Sequence, residues 1–242
     1  MKKILVSLGL TLTLSFGATL DEGVAALLKG DYQTAKTIFE DFASKNNAHA
    51  QFNLGLMHKN GYGVKQDLKK AIEWWEKAAA QGNSRAQFNL GLMYKNGEGV
   101  KQDYFKAKEW AEKAANQGLV EAQYNLGIMY SIGFGVKQDL KKAIEWWGKA
   151  ANEGDISAQY NLGLMYYHGE GVKQDYFKAK EWFEKAADQG DSMAQYYLGL
   201  MYTNGYGVKQ NKTVAKKWYG KVCDGGNQEG CDMYKKLNEQ GY

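Results

Sequence analysis

The chain has 242 residues, enough for one large domain or two smaller ones. With 14% aromatic and 44% hydrophobic residues it is too apolar to be disordered. The formal charge of +4 comes almost wholly from lysine, Arg85 being the sole arginine. Without the guanidinium fork phosphate recognition is poorly served, which argues against nucleic acid as a partner.

Met1-Lys2-Lys3 makes a short basic start, and Ile4 to Phe16 is an apolar run of 13 residues followed by small Gly17 and Ala18 and polar Asp21-Glu22. This is the layout of a secretory signal peptide over residues 1–18, since a membrane span needs about 20 residues. The expected product is an exported bacterial protein, periplasmic or secreted, a monomer with no stable membrane insertion after cleavage. Residues 19–47 read as an N-terminal helix pair with a break at Gly30-Asp31.

From residue 48 the chain repeats every 36 residues. AQFNLGLM begins at Ala50 and Ala86, AQYNLGIM at Ala122, AQYNLGLM at Ala158 and AQYYLGLM at Ala194. Gly61/Gly63 and Trp74 recur at the same interval, and a 72-residue period lies on top: DLKKAIEWW at Asp67 and Asp139 alternates with DYFKAKEW at Asp103 and Asp175. The repeats occupy 48–83, 84–119, 120–155, 156–191 and 192–227, and residues 228–242 form a last helix that caps the stack.

Proline is absent and glycine occurs 29 times, so each unit reads as helices punctuated by glycine. The first helix runs from about Ala48 to a stop at Gly61, and the second starts at Asp67, an N-cap whose charge suits the helix dipole. On the first helix Ala50, Leu54 and Met57 share one face, Phe52 and Leu56 another, and Asn53 and Asn60 a third. A helix with two apolar faces needs neighbours on both sides, as in a stack of repeats. Glycine at 55, 91, 127, 163 and 199 inside that helix implies close approach by the second helix near Ala71 and Ala78. Trp74, Trp110, Trp146, Trp182 and Trp218 are expected to supply the main apolar mass. The fold class is all-α: a right-handed α-solenoid of stacked antiparallel helix pairs.

The unit A-x-x-x-L-G-x-M-[YH], G-x-G-V, A-x-x-W, A-A and a closing Gly resembles the Sel1-like repeat, a relative of the tetratricopeptide repeat with a longer inter-helix loop. Residues 19–47 resemble a shorter tetratricopeptide-like pair. The only cysteines are Cys223 and Cys231. In an oxidising space such a pair is most simply a disulfide, with free thiols or half of a metal site as alternatives. The spacing is similar to C-x7-C in secreted cysteine-rich Sel1-like proteins, where it ties one repeat to the next. Cys223 stands in the column of Ala79, and Cys231 in that of Gln51.

No catalytic set, metal site or cofactor motif emerges. His49, His58 and His168 occupy three different repeat positions, and the GxG loops lack the Lys-Ser/Thr of a phosphate loop. Some cysteine-rich relatives carry penicillin-binding or weak β-lactamase assignments, so that activity is the alternative implied by the resemblance. A serine β-lactamase needs S-x-x-K, and the nearest string is Thr213-Val-Ala-Lys216. The leading expectation is a non-catalytic scaffold holding a protein or peptide on a concave face lined by first helices. The candidate contacts are Asn53, Asn89, Asn125, Asn161 and Tyr197 in one column. Asn60, Asn96, His168 and Asn204 lie one turn on, with Ile132 completing that second column.

Overall fold

The computed structural model describes residues 17–242. The expected signal peptide falls almost entirely outside that range. Among the described residues there are thirteen α-helices and no strand: α1 Leu20–Leu28, α2 Tyr32–Ser44, α3 Ala48–Asn60, α4 Leu68–Ala80, α5 Ser84–Asn96, α6 Tyr104–Asn116, α7 Val120–Ile132, α8 Leu140–Asn152, α9 Ile156–His168, α10 Tyr176–Asp188, α11 Ser192–Asn204, α12 Lys212–Asp224 and α13 Gln228–Glu239. The chain divides into two compact units, one ending at Ala86 and the other starting at Gln87. In the first unit α1 packs on α2, α2 on α3 and α3 on α4. In the second, the hairpins α7–α8, α9–α10 and α11–α12 are joined face to face through α8–α9 and α10–α11, and α13 closes on α12. Both are built from paired helices in the manner of an α-solenoid.

Local chemistry fixes the helix ends. Asp67, Asp103, Asp139 and Asp175 each accept a backbone N–H of the following turn, and Asn211 does the same for α12. First helices stop at Gly61, Gly133, Gly169 and Gly205, all left-handed, a conformation only glycine adopts without strain. The six-residue loop then folds back, with the Asp139 N–H donating to the Tyr130 carbonyl at 2.9 Å and Gln138 Nε2 to the Ser131 carbonyl at 2.8 Å. Successive long loops touch. Gly135 lies so close to the Tyr104 carbonyl that no side chain fits there. The loop-tip rings stack on the preceding repeat, Phe134 on Tyr104 at 4.9 Å and Tyr206 on Tyr176 at 4.9 Å. In the first unit Tyr62 stacks on Tyr32 in the same way.

The core departs from expectation by one residue. The tryptophans at 74, 110, 146, 182 and 218 are only half-buried, each covered by the lysine three residues on, from 3.8 Å for Lys149 over Trp146 to 4.4 Å for Lys77 over Trp74. The buried column is the next one, Trp75, Ala111, Trp147, Phe183 and Tyr219. One step on a helix turns a side chain by 100°, which carries this column between the helices of its own repeat. There the rings lie against the in-helix glycines, Trp75 on Gly55, Trp147 on Gly127, Phe183 on Gly163 and Tyr219 on Gly199. Close approach was the right expectation for these glycines, but the partner is a ring. Gly91 is the exception: facing Ala111, it brings backbone to backbone, and a Cβ there would lie 3.2 Å from the Ala107 carbonyl oxygen.

A second buried column is polar. Gln51, Gln87, Gln123 and Gln159 are almost fully enclosed. The carbonyls that end each second helix accept one turn N–H and keep room for a second donor, which the glutamine of the next repeat supplies: Gln123 Nε2 donates to the Ala115 carbonyl, Gln159 to Ala151 and Gln195 to Ala187, at 3.1–3.3 Å. A further glutamine, from the end of the same repeat's second helix, donates to the buried Oε1, as in Gln81 to Gln51, Gln117 to Gln87 and Gln189 to Gln159, at 2.7–2.8 Å. Repeat three has Glu153 at that position. A carboxylate cannot donate, and Gln123 Oε1 is left buried without a partner. Glu153→Gln is therefore expected to raise stability by about 1 kcal/mol, read as a higher urea midpoint at constant slope. An unchanged or lower midpoint would overturn this account of the column.

In the last repeat the clasp is covalent. Cys223 and Cys231 form a disulfide joining the two columns that alanine carbonyl and glutamine amide join elsewhere.

Candidate functional site

The face left outside both apolar stripes of the first helices carries the sequence candidates, and they fall into separate groups. In the first unit Asn53 donates to the His49 carbonyl at 2.9 Å. With His49, Phe52, Leu20, Val24 and Arg85 it lines an opening of about 670 Å³. Asn60 is exposed at the end of α3.

In the second unit Asn96 and Asn125 line one cavity of about 350 Å³ with Ile128, Ile132 and Phe134. Asn125 donates from Nδ2 to the Glu121 carbonyl at 2.8 Å, which leaves its Oδ1 as an acceptor, and Asn96 donates to Glu98 at 2.7 Å. Ile132 is 51% exposed, an uncovered branched side chain at the cavity's rim. The cavity sets apolar side chains beside amide groups, with Lys95 and Gln102 also in its lining.

His168 and Tyr197 belong to a different patch. Tyr197 stacks on Phe183 at 5.0 Å, and Tyr160, Tyr167 and His168 meet its ring edge-on at 6.1, 5.3 and 6.5 Å. Burial pushes the Tyr160 and Tyr167 phenols up to about 12, so these rings stay neutral hydrogen-bond donors at any physiological pH. Asn161 is half-buried on α9 and Asn89 on α5, while exposed Asn204 donates to the Leu200 carbonyl at 2.9 Å. These three line neither the cavity nor the aromatic patch.

His58 takes the place of the tyrosine that lysine covers in other repeats, as Lys106 covers Tyr94 and Lys142 covers Tyr130. Burial, and then the charge of Lys70, hold its imidazole below the usual histidine value against the pull of Asp67, with Lys36 adding to the lowering. It is a packed ring. Lys216, in the string considered for β-lactam chemistry, donates from Nζ to Asn238 Oδ1 at 2.6 Å and to the Tyr242 carbonyl, which anchors the end of α13 on α12. Among the described residues no group of three His, Cys, Asp or Glu side chains could hold a metal ion. No helix there is long and apolar enough to cross a membrane.

Sequence reasoning missed an opening of about 960 Å³ on the long-loop edge of the second unit between repeats two and three. Lys101, Lys106, Lys137, Tyr104 and Phe105 line it. The signal was present in the 72-residue alternation, which places Phe105 and Phe177 where repeats one and three have Lys69 and Lys141 and repeat five has Thr213.

The family model described as Sel1 repeat matches residues 48–83, 84–119, 120–155, 156–191 and 192–227. No curated protein matches the chain. Among solved structures it is similar to c5321, a protective antigen of uropathogenic Escherichia coli with an SLR fold, at 40% identity and TM-score 0.82. That match covers 85% of this chain and 44% of the antigen, so the chain spans less than half the antigen's length. A Sel1 repeat protein from Oxalobacter formigenes is 32% identical with TM-score 0.81, and the match covers 85% of each chain. The immunity protein PA5088 from Pseudomonas aeruginosa, 20% identical at TM-score 0.52 over 93% of this chain and 84% of that one, shares the fold alone. Five tandem matches across 180 residues, together with the paired helices they describe, show that this chain belongs to the Sel1 repeat family.

Proposed function

We propose that this protein is an exported, non-catalytic scaffold that holds a protein or peptide partner on the outward face of its first helices. Sel1 repeat proteins are generally protein-interaction scaffolds. The observation that carries the reading to this surface is the cavity lined by Asn96, Asn125, Ile128 and Ile132, an apolar floor beside a side-chain amide with a free acceptor. An extended segment could place an apolar side chain on Ile128 and Ile132 while its backbone N–H donates to Asn125, a mode that asks little of the partner's sequence. Export is supported by the signal-like residues 1–18, by the disulfide, which persists in oxidising compartments, and by the likeness to a bacterial protective antigen.

A random peptide display library panned against the protein provides the probe. The recovered peptide is then titrated against wild type and the Asn96→Ala, Ile132→Asp variant. Because both side chains are exposed, folding stays intact, and affinity is expected to fall about tenfold or more. Equal affinity for both proteins would place the partner elsewhere and overturn the reading.

A further inference from the structure

The long-loop edge of the second unit combines two features that the first-helix face lacks. Phe105 and Phe177 project there from the first turns of α6 and α10, 73% and 71% exposed, more open than any other phenylalanine described as exposed. Around them stands a row of lysines without carboxylate partners. Lys101, Lys137, Lys173 and Lys209 come from the Gly-Val-Lys-Gln loops, all exposed. A second row, Lys106, Lys142 and Lys178, is exposed at the helix starts, each ammonium resting over a tyrosine at 5.2 Å. The ion pairs of this unit lie elsewhere, at Lys108–Glu112 and Lys180–Glu184 further along the helices and at Lys235–Glu239 on α13.

The charges are sorted by edge. Segments 97–106, 133–142, 169–178 and 205–212 hold nine lysines against five carboxylates. Three of those carboxylates, Asp103, Asp139 and Asp175, are engaged by backbone N–H groups of the helices they cap. The short turns at the other ends of the helices, 116–121, 152–157, 188–193 and 224–229, hold seven carboxylates and no lysine. The touching long loops, Gly135 on Tyr104, Gly171 on Leu140 and Gly207 on Tyr176, keep the four basic segments contiguous, which puts the lysines and both phenylalanines along one edge.

We propose that this edge is a peripheral docking surface for an anionic lipid bilayer. Phe105 and Phe177 enter the boundary between headgroups and acyl chains, and the flanking lysines are held by the diffuse negative charge of the lipid surface, which needs no guanidinium fork. Aromatic side chains beside a basic row suit the interfacial zone, where apolar burial and attraction to anionic lipid add. The acidic turns lie at the opposite ends of the helices, away from the membrane, which sets a single orientation.

The test is co-sedimentation of the exported protein with vesicles of phosphatidylcholine alone and of phosphatidylcholine mixed with phosphatidylglycerol. Binding is expected only to the mixed vesicles and weakens as salt rises. Phe105→Ser with Phe177→Ser is expected to lower the partition coefficient about tenfold or more. Each of Lys101→Gln, Lys137→Gln and Lys173→Gln lowers it about fivefold. All these side chains are exposed, so circular dichroism of the variants matches wild type. Absence of binding to the mixed vesicles, equal binding to both kinds, undiminished binding by the phenylalanine pair, or suppression by soluble glycerol phosphate at matched ionic strength would each overturn the proposal.

Discussion

Trp147→Ala is expected to lower the unfolding free energy by about 3–5 kcal/mol, the range for deleting a fully buried aromatic side chain. Trp146→Ala, one residue away, is expected to cost only about 1 kcal/mol. The two indoles are alike in chemistry and opposite in surroundings. Trp147 is 4% exposed, sits against Gly127 and donates from Nε1 to the Tyr124 carbonyl at 3.3 Å. Its loss opens a void between α7 and α8 that neither helix can fill without moving. Trp146 is half-buried under the Lys149 ammonium at 3.8 Å, and truncation there removes an open-sided stacking contact that water replaces. Urea unfolding followed by far-ultraviolet circular dichroism measures both. Equal losses, or a larger loss at Trp146, would return the core to the column first expected to hold it.

Gly127→Ala is the second large effect, and its sign is the informative part. In an unconstrained helix the change stabilises by up to about 1 kcal/mol, because glycine is the more flexible residue. Here the new methyl would lie inside contact distance of the Trp147 ring. The buried ring cannot rotate away without disturbing the hairpin, and a net loss of about 2–3 kcal/mol is expected from overpacking. A double-mutant cycle separates the two terms. In the Trp147→Ala background the obstruction is gone, and Gly127→Ala becomes neutral or stabilising, a coupling that contacting residues show and distant ones do not. If the cost persists in that background, the glycine is required for some other reason than the ring.

The pairing of helices was legible because each signal is local. Asp67 and its copies announce helix starts, Gly61 and its copies announce stops, and the spacing between them leaves room for little else. The core was misread by one position for a physical reason. The invariant tryptophan column looks more like a core than the mixed column beside it, yet five identical tryptophans are each covered by a lysine one turn on, while Trp75, Ala111, Trp147, Phe183 and Tyr219 vary in size with the local gap. Buried glutamine was visible as letters in every AQ pair but carried no assignment, since Gln81 meets Gln51 only through the hairpin. On the candidate surface, periodicity put Asn96 and Asn125 on one face. It could not tell that they share a cavity with Ile132 while His168 and Tyr197 join an aromatic patch, because that depends on how side chains of successive repeats lean together. Lys216 likewise looked available from its spacing, and its ties to Asn238 and Tyr242 involve a segment remote in sequence.

The covalent clasp at Cys223 and Cys231 also bears on how such a chain finds its arrangement. Five near-copies offer many almost equivalent partners, and a helix could settle beside the wrong twin at little energetic loss, a hazard of duplicated sequences. Only one place along the chain carries the two cysteines that a disulfide needs. Once closed, that link breaks the degeneracy by fixing the terminal hairpin, and neighbours added from there inherit a unique count toward the N-terminus.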